Sequence, residues 1–306
     1  MVELRTDKLR ELRLHEPEAI AEAAVKRRRR PLVQADGQLF IVAADHPARG
    51  ALAVGPKPTA MADRDDLLER LCVALSRPGV DGVLGTPDVI EDLLLLGVLE
   101  EKIAIGSMNR AGIRGAVFEL DDRFTAYDVA TIAAMGLDGG KMLCRIAPDD
   151  PATARTLEAC GRAVSGLASN RLMAMIEPFW TSHARPGEAR NEYSTDLVVR
   201  SVTVASALGA TSAYTWLKLP VVGEMERVVA ATTLPVLVLG GDATNNQDEA
   251  LATFERALGL PGVRGIVAGR MLLYPEDDDV ARAVDQAASF LGRGSPDLVS
   301  SRRLDK

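Results

Sequence analysis

From Leu39 onward, short runs rich in Val, Ile and Leu alternate with longer amphipathic segments, and this alternation constrains the fold more than any other feature of the chain. It is the pattern of parallel strands joined by crossover helices. Eight runs qualify, at residues 39–44, 82–84, 103–106, 141–145, 172–176, 213–217, 236–239 and 265–268. Eight strand-then-helix units in succession can close into a barrel, whereas an open doubly wound sheet usually has fewer strands and a GxGxxG turn after the first. No such turn follows residues 39–44. The expected architecture is an α/β fold, a (β/α)8 TIM barrel with an extra N-terminal helix. A chain of 306 residues suits one such domain, with a helical extension over 1–38, the barrel over 39–292 and a tail over 293–306.

The segments between the runs carry helix signals. Asp150-Pro151 precedes TARTLEACGRAV, Asn246 precedes QDEALATFERAL, and Leu208-Gly209 closes a third segment. Leu67, Leu68, Leu71, Cys72 and Leu75 recur at helical spacing and predict a stripe buried against the sheet. Ahead of the repeat, residues 16–25 read as a helix, and the basic run Lys26-Arg27-Arg28-Arg29-Arg30 reads as its solvated C-terminal end, where cations offset the helix dipole.

Composition narrows the function classes. A formal net charge of −7 argues against a nucleic-acid surface, which needs clustered cations. The opening MVELRTDKLRELR has no apolar signal core, and eighteen apolar residues never run uninterrupted, so no membrane span or secretion is expected and the protein reads as cytoplasmic. Cys72, Cys144 and Cys160 are odd in number without CxxC spacing, which favours neither disulfides nor a zinc knuckle. With His15, His46 and His183 as the only imidazoles, a zinc site is hard to assemble, although a carboxylate-held Mg2+ would leave little trace. No metal or cofactor is expected.

In a barrel, chemistry sits where the strands end. The first run ends in Asp45-His46-Pro47-Ala48-Arg49, placing a carboxylate, an imidazole and a guanidinium there. The fourth begins at Lys141, and the fifth delivers Glu177 at the end of an apolar stretch. The sixth leads to Lys218, flanked by Trp216, Leu217, Leu219, Pro220 and Val221, an unusual setting for a residue seldom buried unless paired. A snorkelling lysine with its amine in water would satisfy the same pattern. An amine that attacks a carbonyl must be unprotonated, however, and apolar walls with a second cation favour that state. Lys141 would supply the cation, because strands of equal parity feed one interior layer. Glu177, between the two, is placed either to shuttle protons or to pair with a lysine. The last two runs end in Gly240-Gly241 and Gly269-Arg270, where barrels often bind phosphate. Arg110 and Arg185, expected in loops after strands, are candidates for a second anionic group.

Four segments in this order resemble the Schiff-base (class I) aldolase superfamily, in particular the tagatose-bisphosphate and sulfofructose-phosphate aldolases. They are DHPARGAL at 45–52, KMLC at 141–144, IEPF at 176–179 and WLKLP at 216–220. The resemblance implies an imine on Lys218 without a cofactor, Glu177 as proton-transferring acid/base, Lys141 as a second cation and Asp45 in contact with substrate or lysine. It covers roughly residues 39 to 275 and departs where His46-Pro47-Ala48 replaces a single Gln. The segments VDGVLGTPDVI and SMNRAGIRG are more similar to an aldolase-like barrel family linked to actinobacterial myo-inositol breakdown. That resemblance implies cleavage of 2-deoxy-5-keto-gluconate 6-phosphate to dihydroxyacetone phosphate and malonate semialdehyde. Two other readings stay open: a phosphate-binding isomerase or epimerase in which Glu177 or Asp45 abstracts a proton, and a non-catalytic sugar-phosphate sensor. A homo-oligomer is expected because barrels frequently self-associate.

Overall fold

The structure, a computed structural model, describes residues 6–185, 188–240 and 247–293. Its strands are β1 (Leu39–Ala43), β2 (Gly82–Gly85), β3 (Ile103–Ser107), β4 (Gly139–Ile146), β5 (Met173–Arg185), β6 (Glu188–Asn191), β7 (Thr215–Leu219), β8 (Val236–Leu239) and β9 (Val263–Ala268). Neighbours run β4-β3-β2-β1-β9-β8-β7-β5-β6, and β4 also pairs with β5. The circle is therefore closed by eight parallel strands, and β6 lies outside it as the antiparallel partner of the far end of β5. This is a (β/α)8 TIM barrel.

The helices are α1 (Thr6–His15), α2 (Ala19–Lys26), α3 (Arg64–Ser76), α4 (Pro87–Leu95), α5 (Val129–Ala134), α6 (Ala152–Ser169), α7 (Thr195–Ser206), α8 (Met225–Ala230), α9 (Gln247–Leu258), α10 (Arg270–Leu273) and α11 (Val280–Phe290). In α3 the expected stripe is buried at Leu67, Leu68, Leu71 and Leu75, with Cys72 at its margin, and Asp63 caps the first turn by accepting from the backbone N–H groups of Asp65 and Asp66. Asp150 accepts from the N–H of Ala152 at the start of α6, while Asn246 lies outside the described residues. Alternate strand residues face inward, and Leu39, Ile41, Ala43, Ile103, Ile105, Met173, Met175, Leu237 and Val267 form the apolar interior. The intervening residues pack outward against the helices in a second, larger cluster.

The N-terminal segment departs from expectation. It contains two helices rather than one, and the basic run is a solvated helix end only in part: Lys26, in the last turn of α2, and Arg28 are exposed, whereas Arg27 and Arg30 turn inward. Arg27 is buried and donates to the carbonyls of Lys102 and Gly136 and to Asp138, which Arg29 also meets. Arg30 reaches Asp81 at 2.6 Å. Asp81 and Asp138 sit just before β2 and β4, where their carboxylates accept strand N–H groups of Phe40 and Ala104. Two buried carboxylates that cap strand starts need counter-charges, and the run supplies them. Leu32 then packs on the apolar interior, closing the barrel floor at the N-terminal ends of the strands. Arg293 joins this network through Asp36 and Asp81.

Four strands differ in extent from their sequence signals, β9 by starting at Val263, two residues before the expected 265. β4 starts at Gly139, two residues before Lys141, and β7 is shifted two residues toward the C-terminus, so that Lys218 lies within it. β5 runs past Glu177 and Pro178 to Arg185 and turns back as β6, so the backbone of Arg185 belongs to a strand rather than a loop. Among the described residues no helix is long and apolar enough to cross a membrane. The cysteines are free; Cys144 and Cys160 are buried.

Candidate active site

Period two continues upward from the apolar interior into a polar layer. Asp45 stands two residues after Ala43, Ser107 two after Ile105, Glu177 two after Met175 and Lys218 two after Trp216, with Lys141 on β4 beside them. All five are buried. Glu177 uses separate oxygens for the two lysines: Oε1 lies 2.8 Å from Lys218 Nζ, and Oε2 meets Lys141 Nζ. Lys141 Nζ also donates to Asp45 Oδ2 at 3.1 Å. The same Asp45 oxygen accepts from Ser107 Oγ at 3.0 Å and pairs with Arg110 Nη1 at 3.1 Å. Lys141 and Lys218 thus meet through Glu177, on the strand between theirs.

The charges explain how these carboxylates stay ionised in a dry site. Burial alone would raise the Asp45 carboxyl, but Lys141 and Arg110 outweigh it and hold it well below the usual range. Burial likewise opposes ionisation of Glu177, and Lys141 and Lys218 overcome it to hold the group at about 2. Lys141 is pushed down by burial and then by Arg110, with Asp45 and Glu177 offsetting part of the shift. His46 is driven to about 3, chiefly by burial, with Arg270 and Lys218 adding to it and Asp45 partly opposing. The imidazole is therefore neutral at ordinary pH.

Sequence reasoning missed Ser107 and Asn109. Asn109 is fully buried, and its side chain accepts from the N–H of Leu143 at 2.7 Å and donates to the Leu143 carbonyl at 2.6 Å, continuing the β3–β4 ladder. Small polar residues at a strand end leave no sequence signal by which to find them. Arg145, two residues beyond Leu143 on β4, is also buried and grips Asp122 with two bonds of 2.8 Å and Glu119 at 3.3 Å. These carboxylates belong to the long segment between β3 and α5. Arg49 serves the same segment, donating to Gly112 O at 2.8 Å and approaching Glu119 at 3.6 Å, so its guanidinium is engaged with protein groups.

Of the other anticipated residues, Arg110 lies against Asp45 with Nη2 unpartnered. The N–H of Gly240 donates to Val267 O at 3.3 Å within the sheet edge, and Gly241 lies outside the described residues. Gly269 lets strand ends approach closely, since a Cβ there would stand 2.2 Å from Ala43 O and 3.0 Å from His46 Cε1. Arg270 follows it, opening α10. The side chain of Arg185 is outside the described set. His183 on the β5–β6 hairpin meets Asp150 at 3.2 Å. A groove of about 510 Å3 lies between the segment before α5 and α6, and no member of the lysine layer lines it. No grouping of three metal-ligating side chains occurs among the described residues.

The neutral His46 predicts a pH dependence of stability. An unfolded imidazole titrates near 6.5 while the folded one is held at about 3. Between these values the unfolded chain binds a proton that the folded chain does not, so stability falls as pH drops from 6.5 toward 3. At pH 5 the loss relative to pH 7 is about 2 kcal/mol. Glu177 and Asp45, with depressed values, add their loss only at lower pH. Denaturant midpoints at pH 7 and pH 5 should therefore separate by less in His46→Gln than in the wild type; equal separations would show that the imidazole titrates normally.

Comparison with solved structures places this architecture. An archaeal fructose-1,6-bisphosphate aldolase, solved with its catalytic lysine bound to the carbinolamine intermediate, is 19% identical with a TM-score of 0.61, over 89% of this chain and 99% of that one. A fructose-bisphosphate aldolase from Slackia heliotrinireducens is 14% identical with a TM-score of 0.66, over 95% of this chain and 92% of its own. At these identities the likeness concerns the fold. The crystal structure of Cgl0159 from Corynebacterium glutamicum is 55% identical with a TM-score of 0.91, over 94% of this chain and 96% of that one. No curated protein matches the sequence. A family model described as Cgl0159-like matches residues 37–288, which hold the barrel strands and the whole lysine layer, and the chain belongs to the Cgl0159-like family.

Proposed function

We propose that this chain is a class I aldolase that forms an imine between Lys218 and the ketone of a phosphorylated keto sugar. The observation that carries the reading is the bridging of two buried lysines by separate oxygens of one buried carboxylate. An amine attacks only when unprotonated, and Glu177 at 2.8 Å is placed to take the Lys218 proton. Lys141, held by Asp45 as well as Glu177, is the cation that remains. The Lys218 nitrogen bonds to the carbonyl carbon, whose oxygen is protonated and leaves as water. Loss of the proton from the hydroxyl two carbons away then breaks the C–C bond. The electron pair flows to the iminium nitrogen, the aldehyde departs, and the enamine is protonated at carbon before water releases the ketone.

Support for a phosphorylated substrate comes from Gly240, Gly241, Gly269 and Arg270, all following the last two barrel strands, where barrels often bind phosphate. Arg110 would meet a further polar group of the substrate, and Arg49 would act by holding the loop before α5. The motif resemblance points to 2-deoxy-5-keto-gluconate 6-phosphate, cleaved to dihydroxyacetone phosphate and malonate semialdehyde; we place the enzyme in the cytoplasm as a homo-oligomer, as barrels frequently self-associate. The test is incubation with dihydroxyacetone phosphate, reduction by borohydride and peptide mass analysis. A reduced adduct is expected on Lys218 and is expected to vanish in Lys218→Ala. No adduct with this or several other keto sugar phosphates would return the site to isomerase or sensor readings.

A further inference from the structure

Asp45 is loaded unevenly. Its Oδ2 meets Lys141, Ser107 and Arg110 between 3.0 and 3.1 Å, whereas Oδ1 lies 4.0 Å from the Nδ1 of His46. That Nδ1 is itself buried and without a hydrogen-bond partner. A buried polar atom left unpartnered costs free energy, and such atoms cluster where a ligand completes them. The separation is too long for a direct hydrogen bond yet suits one intervening oxygen: an atom about 2.8 Å from each would see them at roughly 90°. Behind the ring stands Gly269, whose lack of a side chain leaves it room, since a Cβ there would lie 3.0 Å from Cε1.

From this geometry we infer that His46 Nδ1 and Asp45 Oδ1 together hold one hydroxyl group of the substrate, on the carbon next to the imine carbon, which makes His46 a specificity-determining residue. The inference rests on the imine reading above. Protonation states agree with it: an ionised Asp45 can only accept, and a neutral imidazole has one N–H to donate. The hydroxyl gives its proton to Asp45 Oδ1 and receives the Nδ1–H bond of His46. Asp45 shares Lys141 with Glu177, and Glu177 touches Lys218, so this pair of atoms lies close to the reacting amine. The imidazole side chain is 22% exposed.

Two ketones separate the hydroxyl from the rest of the substrate. Dihydroxyacetone phosphate carries it; hydroxyacetone phosphate has a methyl group in its place. The concentration of each giving half-maximal borohydride-trapped adduct is measured for wild type, His46→Ala and His46→Gln. Wild type should favour dihydroxyacetone phosphate about tenfold, the scale of one hydrogen bond to a buried polar group. His46→Ala should lose most of that preference by weakening dihydroxyacetone phosphate alone, and His46→Gln, whose amide can donate, should regain part of it. The ratio is insensitive to partial loss of folded protein. Equal shifts for both ketones, or an unchanged preference in His46→Ala, would overturn this inference while leaving the imine reading intact. No adduct on wild-type Lys218 with either ketone would overturn both.

Discussion

Substituting Glu177 by glutamine will slow the exchange of solvent deuterium into dihydroxyacetone phosphate roughly a hundred- to ten-thousandfold, the usual worth of a positioned acid/base. Exchange reports the enamine directly, because the C–H bond next to the imine carbon breaks and re-forms without an aldehyde partner, and it can be followed by proton NMR. Glutamine keeps the shape of the side chain but removes the charge that two lysines share. Lys141 and Lys218 have side chains only 2% and 4% exposed, so water cannot substitute for the missing carboxylate. Breaking such a pairing typically costs about 3–5 kcal/mol of stability. The variant is therefore expected to unfold at lower denaturant as well as to exchange more slowly. Exchange within tenfold of wild type, on protein shown to be folded, would remove Glu177 from the proton path and leave it as a structural counter-ion.

The polar layer is also an argument about why the barrel is built as it is. Below it the interior is apolar through Ile41, Ile105 and Met175, and above it Leu143, Phe179 and Leu239 form a small separate cluster. Charges enclosed between two apolar layers interact strongly because little solvent screens them. The same enclosure would be ruinous without near-complete pairing. Asp45 achieves it by gathering three donors on one oxygen, and Arg110 contributes one of these while also bonding the carbonyls of Asn109 and Asp45.

Much of this was legible in the chain. Lys141, Glu177 and Lys218 stand out because they begin, end and interrupt apolar runs, and a charge inside a parallel strand has nowhere to go but the interior or a strand end. The eight-fold alternation led to the barrel for the same reason: apolar runs of that length are buried on both faces. What escaped reading depends on partners distant in sequence. Arg27 looks like any member of a basic run until Asp138 is brought to it, more than a hundred residues away. Arg145, the last residue of the fourth run, shows no partner until Asp122 and Glu119 fold over it. The extent of β5 was hidden by Pro178, which lacks an N–H and suggests a strand end, yet pairs in register with Cys144 on β4. Glycines concealed the start of β4 in the same way, since Gly139 and Gly140 carry no apolar signal.

One glycine has the opposite character: Gly265→Ala will destabilise the fold by roughly 2–6 kcal/mol, combining about 1–3 for backbone strain with about 1–3 for overlap. Gly265 has φ +134°, in a region that L side chains rarely adopt, and an added Cβ would fall 1.8 Å from the carbonyl oxygen of Leu39. Leu39 is its register partner, so the collision lies in the seam between β1 and β9. Those two strands carry Asp45 and His46 on one side and Gly269 and Arg270 on the other. Forcing the seam apart should therefore lower Tm by roughly 3–9 °C and also weaken imine trapping through displacement of Asp45. Gly97→Ala is the control. Its φ of +68° is also positive, but nothing lies within 4 Å of the added carbon, so it carries the strain without the overlap and should cost about 1 kcal/mol. Equal losses in the two variants would mean that the β1–β9 seam yields easily and that the close approach of these strands does not set the position of the site.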